Sequence, residues 1–429
     1  MTTSRQNYVK CPCCWAEFPL SEVMWIAADI TLTDDCFSDD GGNVETLQKR
    51  FLPERFTPDC RAIDEKERKC ERNFACRECF MEIPQTYFDS EPMCVPMVGT
   101  SGAGKTFFLT ALHKMLKENR FEKDYGMSEL SYVTGLHASK NTQLEEQVQK
   151  LFSQTVLFED FVALRGTEVG DHEKTLHRGK INEKTVAHPF TYVLGVAEKK
   201  YALGLYDCKG SVFTQGGEDS IGRAENVFTE SVRESDFLFF LYDPTQTESC
   251  VLDYTKQSGR EIRDADGNID TTKLRGLEGK ITEPTTKLLS SNVFGTVAGY
   301  IRGYSELTEG GKYTKHICII VTKSDEWKQC LPPTTQEILD RIPEIAKIPD
   351  VSEEVENWIG KCDPAFVTAV KEFAIRYTYI PVSAAGRPVT QHDGVEGYYV
   401  RGSRGEPLKP SWVDVPFLVA LQSKGLINV

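Results

Sequence analysis

Residues 99–106 read GTSGAGKT, which fits G-x-x-x-x-G-K-[ST] at every required position and dictates a strand, a tight loop and a helix in that order. An apolar run at 93–98 precedes it, and Phe108, Leu109, Leu112, Met115 and Leu116 follow at helical spacing. In such a loop Gly99, Gly102 and Gly104, with Ser101 and Ala103 between them, let backbone N–H groups turn inward around phosphate oxygens. The helix N-terminus adds a dipole that favours negative charge. Lys105 then reaches the β and γ phosphates, and the Thr106 hydroxyl is a ligand for Mg²⁺, which prefers oxygen.

Further apolar runs at 192–196, 201–206, 237–242, 317–321 and 377–382 are too short for buried helices and read as strands. Amphipathic segments lie between them, such as Leu144, Val148, Leu151 and Phe152. The alternation predicts an α/β architecture, a doubly wound, mostly parallel sheet covered on both faces. At 429 residues the chain exceeds one ordinary domain, and its character changes near residue 91. Residues 1–90 are Cys-rich, acidic and irregular, and residues 91–429 form the nucleotide-binding domain, with insertions expected at about 119–190 and 251–282.

Three more segments follow the phosphate loop. The run ending at Tyr206 leads into Asp207-Cys-Lys-Gly210, a D-x-x-G in which Asp207 can hold Mg²⁺ through water and the Gly210 amide can sense a γ-phosphate. The run 317–321 leads into Thr322-Lys323-Ser324-Asp325, a T-K-x-D whose carboxylate can accept the two N–H donors of guanine's Watson–Crick edge; adenine lacks that pair. The run 377–382 ends in Ser383, Ala384 and Ala385, placed to back the base.

Together these segments resemble the translation-factor-related class of P-loop GTPases over residues 91 to about 425. The resemblance implies the Ras-like doubly wound sheet, GTP with Mg²⁺ as cofactor, and hydrolysis. By position it implies that Asp207 to Gly210 open switch II. The threonine that the family needs just before its second strand falls best on Thr185, with Thr167 and Thr175 less well placed. Many relatives carry a glutamine after D-x-x-G to orient the attacking water, whereas this chain has Ser211. Slow intrinsic turnover is therefore expected, with Gln215 or a partner protein supplying the missing group.

The N-terminal part offers Cys11-Pro-Cys-Cys14 and Cys76-Arg-Glu-Cys79. Two C-x-x-C pairs can close a four-sulfur shell around a structural Zn²⁺, so Cys11, Cys14, Cys76 and Cys79 are the expected ligands of a zinc-ribbon-like domain. Cys36, Cys60 and Cys70 are candidates for a second site with Cys13. Zinc rather than disulfides fits a reducing compartment, and neither a secretory leader nor a membrane-length apolar run is visible, so a soluble cytoplasmic protein is expected. With 64 acidic against 50 basic residues, the formal charge of -14 disfavours nucleic acid as a partner. Residues 264–270, DADGNID, lack the spacing of a calcium loop and read as a D-G turn. His113 and His316 read as surface or core fillers.

A cysteine-rich ribbon, a GTPase domain with long insertions and the apolar stretch 413–421 are also similar to double-GTPase type proteins of bacterial conflict systems. That likeness implies a regulatory switch acting with partner proteins, which would bind through the N-terminal domain and the switch regions.

Overall fold

The computed structural model describes residues 8–38, 44–100, 102–118, 130–132, 144–149, 152, 161–162, 173–178, 182–187, 189–196, 199–207, 231–232, 235–257, 290–304, 307–308, 310–386, 389–391, 398–400 and 408–427. Its centre is a seven-stranded sheet of β1 (Glu91–Gly99), β2 (Leu130–Tyr132), β3 (Phe190–Val196), β4 (Lys199–Asp207), β5 (Phe237–Tyr242), β6 (His316–Val321) and β7 (Tyr377–Pro381). The spatial order is β2-β3-β4-β1-β5-β6-β7. From β4 to β7 every neighbouring pair is parallel, whereas β3 runs antiparallel to β4 and β2 antiparallel to β3.

This is the doubly wound α/β sheet expected, with all six apolar runs in strands and their bounds moved by two residues at most. The central strands are buried on both faces: all six residues of β5 (FLFFLY) and the last five of β6 are buried. Strand β2 lies inside the stretch 119–190 expected to be an insertion; at three residues it is too short to carry a periodic signal. A helix, Glu248–Gln257, runs through the first residues of the second expected insertion.

The helix Lys105–Lys117 buries Phe108, Leu109, Leu112, Met115 and Leu116 as their spacing predicts. At the far end of the chain the helix Val415–Ser423 is buried from Val415 to Leu421, which explains why its sequence is apolar all round. None of the described helices is long and apolar enough to cross a membrane.

The N-terminal part contributes a hairpin of Tyr8–Lys10 with Glu17–Pro19 and a four-stranded sheet ordered Arg50–Phe51, Met24–Ile26, Phe74–Ala75, Glu82–Ile83. It packs on β4. Alternate residues of that strand serve different cores: Tyr201, Leu203 and Leu205 join the main apolar cluster, while Ala202 packs with Val9, Phe18 and Met81 of the N-terminal part.

Candidate nucleotide site and cysteine centre

Strand register brings the sequence motifs to one edge. Asp207 at the end of β4 lies opposite Met97 of β1, and Gly99 at the end of β1 lies opposite Leu241 of β5. Val321 of β6 is opposite both Tyr242 of β5 and Pro381 of β7. Asp207, Gly99, Thr322 and Ser383 therefore leave the sheet side by side at its carboxyl edge. The chain leaves β1 first toward β4 and β3 and then toward β5, β6 and β7, so the phosphate loop sits at the topological switch point, where open α/β sheets form their ligand crevice.

Two glycines of the loop that begins at the end of β1 are fixed for different physical reasons. A Cβ on Gly99 would meet the Leu241 carbonyl oxygen at 2.6 Å, so the neighbouring strand demands glycine there. Gly104 has φ +88° with open space around its Cα; backbone conformation, not crowding, selects glycine at this position. Gly102 is likewise left-handed, and Ala103 is fully buried. The Lys105 ammonium is folded back over the loop, donating to the carbonyls of Gly99 at 3.0 Å and Thr100 at 3.1 Å. Thr106 is half-buried in the first helical turn, and Asp207 is buried at the end of β4. The Thr100 hydroxyl, which sequence reasoning passed over, is buried with no hydrogen-bond partner among the described residues.

At the other end of the crevice Thr322 donates from N–H to the Tyr242 carbonyl at 2.9 Å, and Ser324 N–H donates to the Val382 carbonyl at 3.1 Å. Lys323 has φ +57°, and its ammonium reaches Asp243 Oδ2 at 2.7 Å and Thr245 Oγ1 at 3.1 Å. Asp243 is fully buried and also accepts from Thr245 N–H at 2.9 Å. The Ser383 hydroxyl donates to Asp325 Oδ1 and accepts from Gly386 N–H at 2.8 Å. Burial pushes the Asp325 carboxyl up from the usual carboxylate range, and the Ser383 hydrogen bond opposes that shift. Trp327 closes the turn from beneath: its indole donates to the Thr322 carbonyl at 2.7 Å and stacks on Trp358 at 4.7 Å. Ala384 is half-buried and Ala385 buried. Asp243 and Thr245 were also absent from the sequence reading, because an Asp closing an apolar strand is the ordinary signal of a turn.

Ser101, Gly210, Ser211 and Gln215 lie outside the described residues. Thr185 falls in the strand Asn182–Ala187, paired with Glu173–Arg178, and its direct partner there is Thr175. Two of the three switch I candidates are thus neighbours in a hairpin. The D-G turn expected at 264–270 is also outside the described residues.

In the N-terminal part the four expected cysteines converge. The sulfurs of Cys11, Cys14, Cys76 and Cys79 all lie within 4.8 Å of one another, with Cys11 to Cys79 and Cys14 to Cys76 each 3.6 Å apart. A disulfide would need a separation of about 2 Å. A tetrahedral zinc with Zn–S near 2.3 Å places its sulfurs about 3.8 Å apart, so the shell has the right size.

The two C-x-x-C turns are built alike. In the first, Cys11 N–H donates to Ala16 O, Trp15 N–H to Cys11 O and Cys13 N–H to Cys11 Sγ. In the second, Cys76 N–H donates to Met81 O, Phe80 N–H to Cys76 O and Glu78 N–H to Cys76 Sγ. Trp15 and Phe80, each directly after the second cysteine, both have φ near +60° (61° and 59°). Burial drives the Cys11 and Cys79 thiols up, while hydrogen bonds from Cys11, Cys76 and Cys79 pull Cys14 down; four sulfurs gathered this closely are a donor set suited to a thiophilic dication. Among the described residues no second group of this kind forms: Cys13 is buried in the same small core as the four sulfurs, Cys70 in a separate one, and Cys60 is exposed.

No family model matches the chain, and no curated protein matches it. Among solved structures it is similar to Sup35 complexed with GDP (10% identity, TM-score 0.24, 69% of this chain and 38% of that one). It is similar also to the G domain of the T. maritima FeoB iron transporter (10% identity, TM-score 0.23, 68% of this chain and 89% of that one). A third is the S. cerevisiae Ski7 GTPase-like domain bound to GTP (12% identity, TM-score 0.28, 79% of this chain and 52% of that one). The chain thus spans well under half of the first of these structures and about half of the third.

Proposed function

We propose that this protein binds a guanine nucleotide with Mg²⁺ in the crevice at the carboxyl edge of the sheet and works as a nucleotide-dependent switch. The observation that carries this reading is the side-by-side exit of Gly99, Asp207, Thr322 and Ser383 from four strands in register, with Asp325 held by Ser383. Asp325 would accept from the guanine edge, with Ala384 and Ala385 beside the base. The amides of residues 99–106 and the Lys105 ammonium would hold the phosphates. Thr106 and Asp207 are the oxygen donors for Mg²⁺, which neutralises charge on the β and γ phosphates when bound.

Hydrolysis belongs to the same proposal. Gly210 would sense the γ-phosphate, Thr185 would cover it from switch I, and Gln215 is the residue of this chain available to orient water. Because Ser211 stands where many related GTPases have glutamine, turnover is expected to be slow without an activating partner. The cysteine centre is proposed to hold one structural Zn²⁺, since its four sulfurs fit the tetrahedral shell. A cytoplasmic role in a bacterial conflict or defence system, with partner proteins engaging the N-terminal part and the switches, is supported by the sequence resemblance alone.

The test is nucleotide binding and phosphate release by purified protein with Mg²⁺, comparing GTP with ATP. Tight GTP binding with release supports a switch enzyme. Binding without release supports a GTP-loaded scaffold, and preference for ATP overturns the guanine assignment.

A further inference from the structure

We propose that the cysteine module regulates the nucleotide crevice from inside the chain, by gripping Tyr206, the residue directly before Asp207. The proposal rests on the reading of the crevice as a guanine-nucleotide site. Tyr206 is buried, and its hydroxyl donates to the Pro12 carbonyl at 2.8 Å. Pro12 lies inside the first C-x-x-C turn, between Cys11 and Cys14. The Tyr206 ring also meets Trp15, the residue after Cys14, at 4.9 Å between centroids. Cys94 of β1 completes this small cluster, so the module touches both strands that end in phosphate-binding segments.

Alternation along β4 makes the contact a lever. Asp207 and Tyr206 point to opposite faces of the sheet, one into the crevice and the other into the module. Gly204 clears the space that the ring fills: a Cβ there would come within 3.0 Å of Tyr206 ring atoms and hydroxyl. The module side is rigid, because Pro12 and Trp15 sit in a turn pinned by sulfur and by backbone hydrogen bonds. Any shift of the Asp207 backbone between nucleotide states would work against the buried hydrogen bond and the packed ring pair of its neighbour Tyr206. The GTP-like and GDP-like positions of Asp207 then differ in how well they keep the Pro12 contact. By linkage, whatever the module contributes to one nucleotide state, the nucleotide returns to the module.

The experiment uses the full zinc-loaded chain and measures Kd for fluorescent GDP and for a non-hydrolysable GTP analogue. Wild type is compared with Tyr206→Phe, which removes only the hydroxyl, with Trp15→Phe, and with Ile30→Ser, which alters an exposed side chain of the same module. The ratio of the two Kd values is expected to shift about two- to tenfold in Tyr206→Phe, the scale of one buried hydrogen bond, and in the same direction in Trp15→Phe. Ile30→Ser should leave it unchanged, and zinc content should be the same in all four. In wild type, zinc transfer to a chromophoric chelator should proceed at different rates in the GDP and analogue complexes, and Tyr206→Phe should narrow that difference. A wild type that binds both nucleotides while neither the ratio nor the zinc-transfer difference responds to Tyr206→Phe and Trp15→Phe overturns the coupling alone. A wild type that binds neither nucleotide overturns the reading of the crevice, and the coupling falls with it.

Discussion

Ser383 donates its hydroxyl to the carboxylate of Asp325, joining the turn after β6 to the turn after β7 across 58 residues of sequence. The bond gives the weak Ser383-Ala384-Ala385 signal a physical role. It holds the carboxylate in one orientation within a half-buried crevice and offsets part of its desolvation. Asp325→Asn should therefore weaken GTP binding selectively, by about a hundredfold, the worth of two charge-assisted hydrogen bonds replaced by a mismatched amide. Titration with GTP and ATP checks this; an unaltered GTP affinity would remove Asp325 from the base site.

Lys323 is tied down by a different pair, Asp243 and Thr245. Asp243 is fully buried whereas Lys323 is partly exposed, so removing the acid leaves a cation that solvent can partly compensate. Asp243→Ala is expected to cost about 2 kcal/mol in stability and to lower GTP affinity, read by urea denaturation and by nucleotide titration. A loss of stability with affinity intact would confine the pair to a structural role.

Two glycines of the phosphate loop should fail for different reasons. Gly99→Ala drives a methyl group against the Leu241 carbonyl of the adjacent strand, with an expected cost of about 1–3 kcal/mol from backbone displacement in a packed sheet. Gly104→Ala meets no obstacle, yet holds alanine at φ +88°, costing about 1–2 kcal/mol of local strain. Thermal melts should register both, and the crystal structure of the first should show β1 and β5 shifted apart.

Zinc analysis of the purified chain should return one metal per molecule, falling to none in Cys76→Ser. Because structural zinc supplies folding free energy directly, the N-terminal part should become protease-sensitive in that variant and in chelator-treated wild type. A full complement of zinc in Cys76→Ser would disprove the four-sulfur site.

His316 ties stability to pH. Burial, aided by the nearby Arg376 charge, lowers its pKa to about 4, while an unfolded histidine titrates near 6.5. Between those values the unfolded chain binds more protons than the folded one, so stability is complete above about pH 6.5 and declines as pH falls toward 4. The loss should be on the order of 1–3 kcal/mol, and His316→Gln should flatten the slope of denaturation midpoint against pH across that window. An unchanged slope would mean other groups carry the acid sensitivity.

The sequence by itself determined the central sheet and most of the crevice. Six apolar runs became six strands because strands buried on both faces must be apolar throughout, and that pattern survives without any knowledge of partners. The loop at residues 99–106, Asp207 and Asp325 were legible as candidates because the proposed chemistry needs fixed residue types at fixed spacing. The four clustered cysteines were legible for the same reason, although 61 residues separate Cys14 from Cys76. Tertiary structure alone decided what depends on register and on faces. Strand β2 is too short to announce itself; Asp243 and Thr245 gain meaning only when β5 and β6 lie side by side and bring Lys323 within 2.7 Å. Tyr206 read as one more apolar strand residue until folding turned its face of β4 toward Pro12. Contacts between segments far apart in the chain leave no local pattern, since each partner's residue type is compatible with many surroundings and only the packed fold selects one.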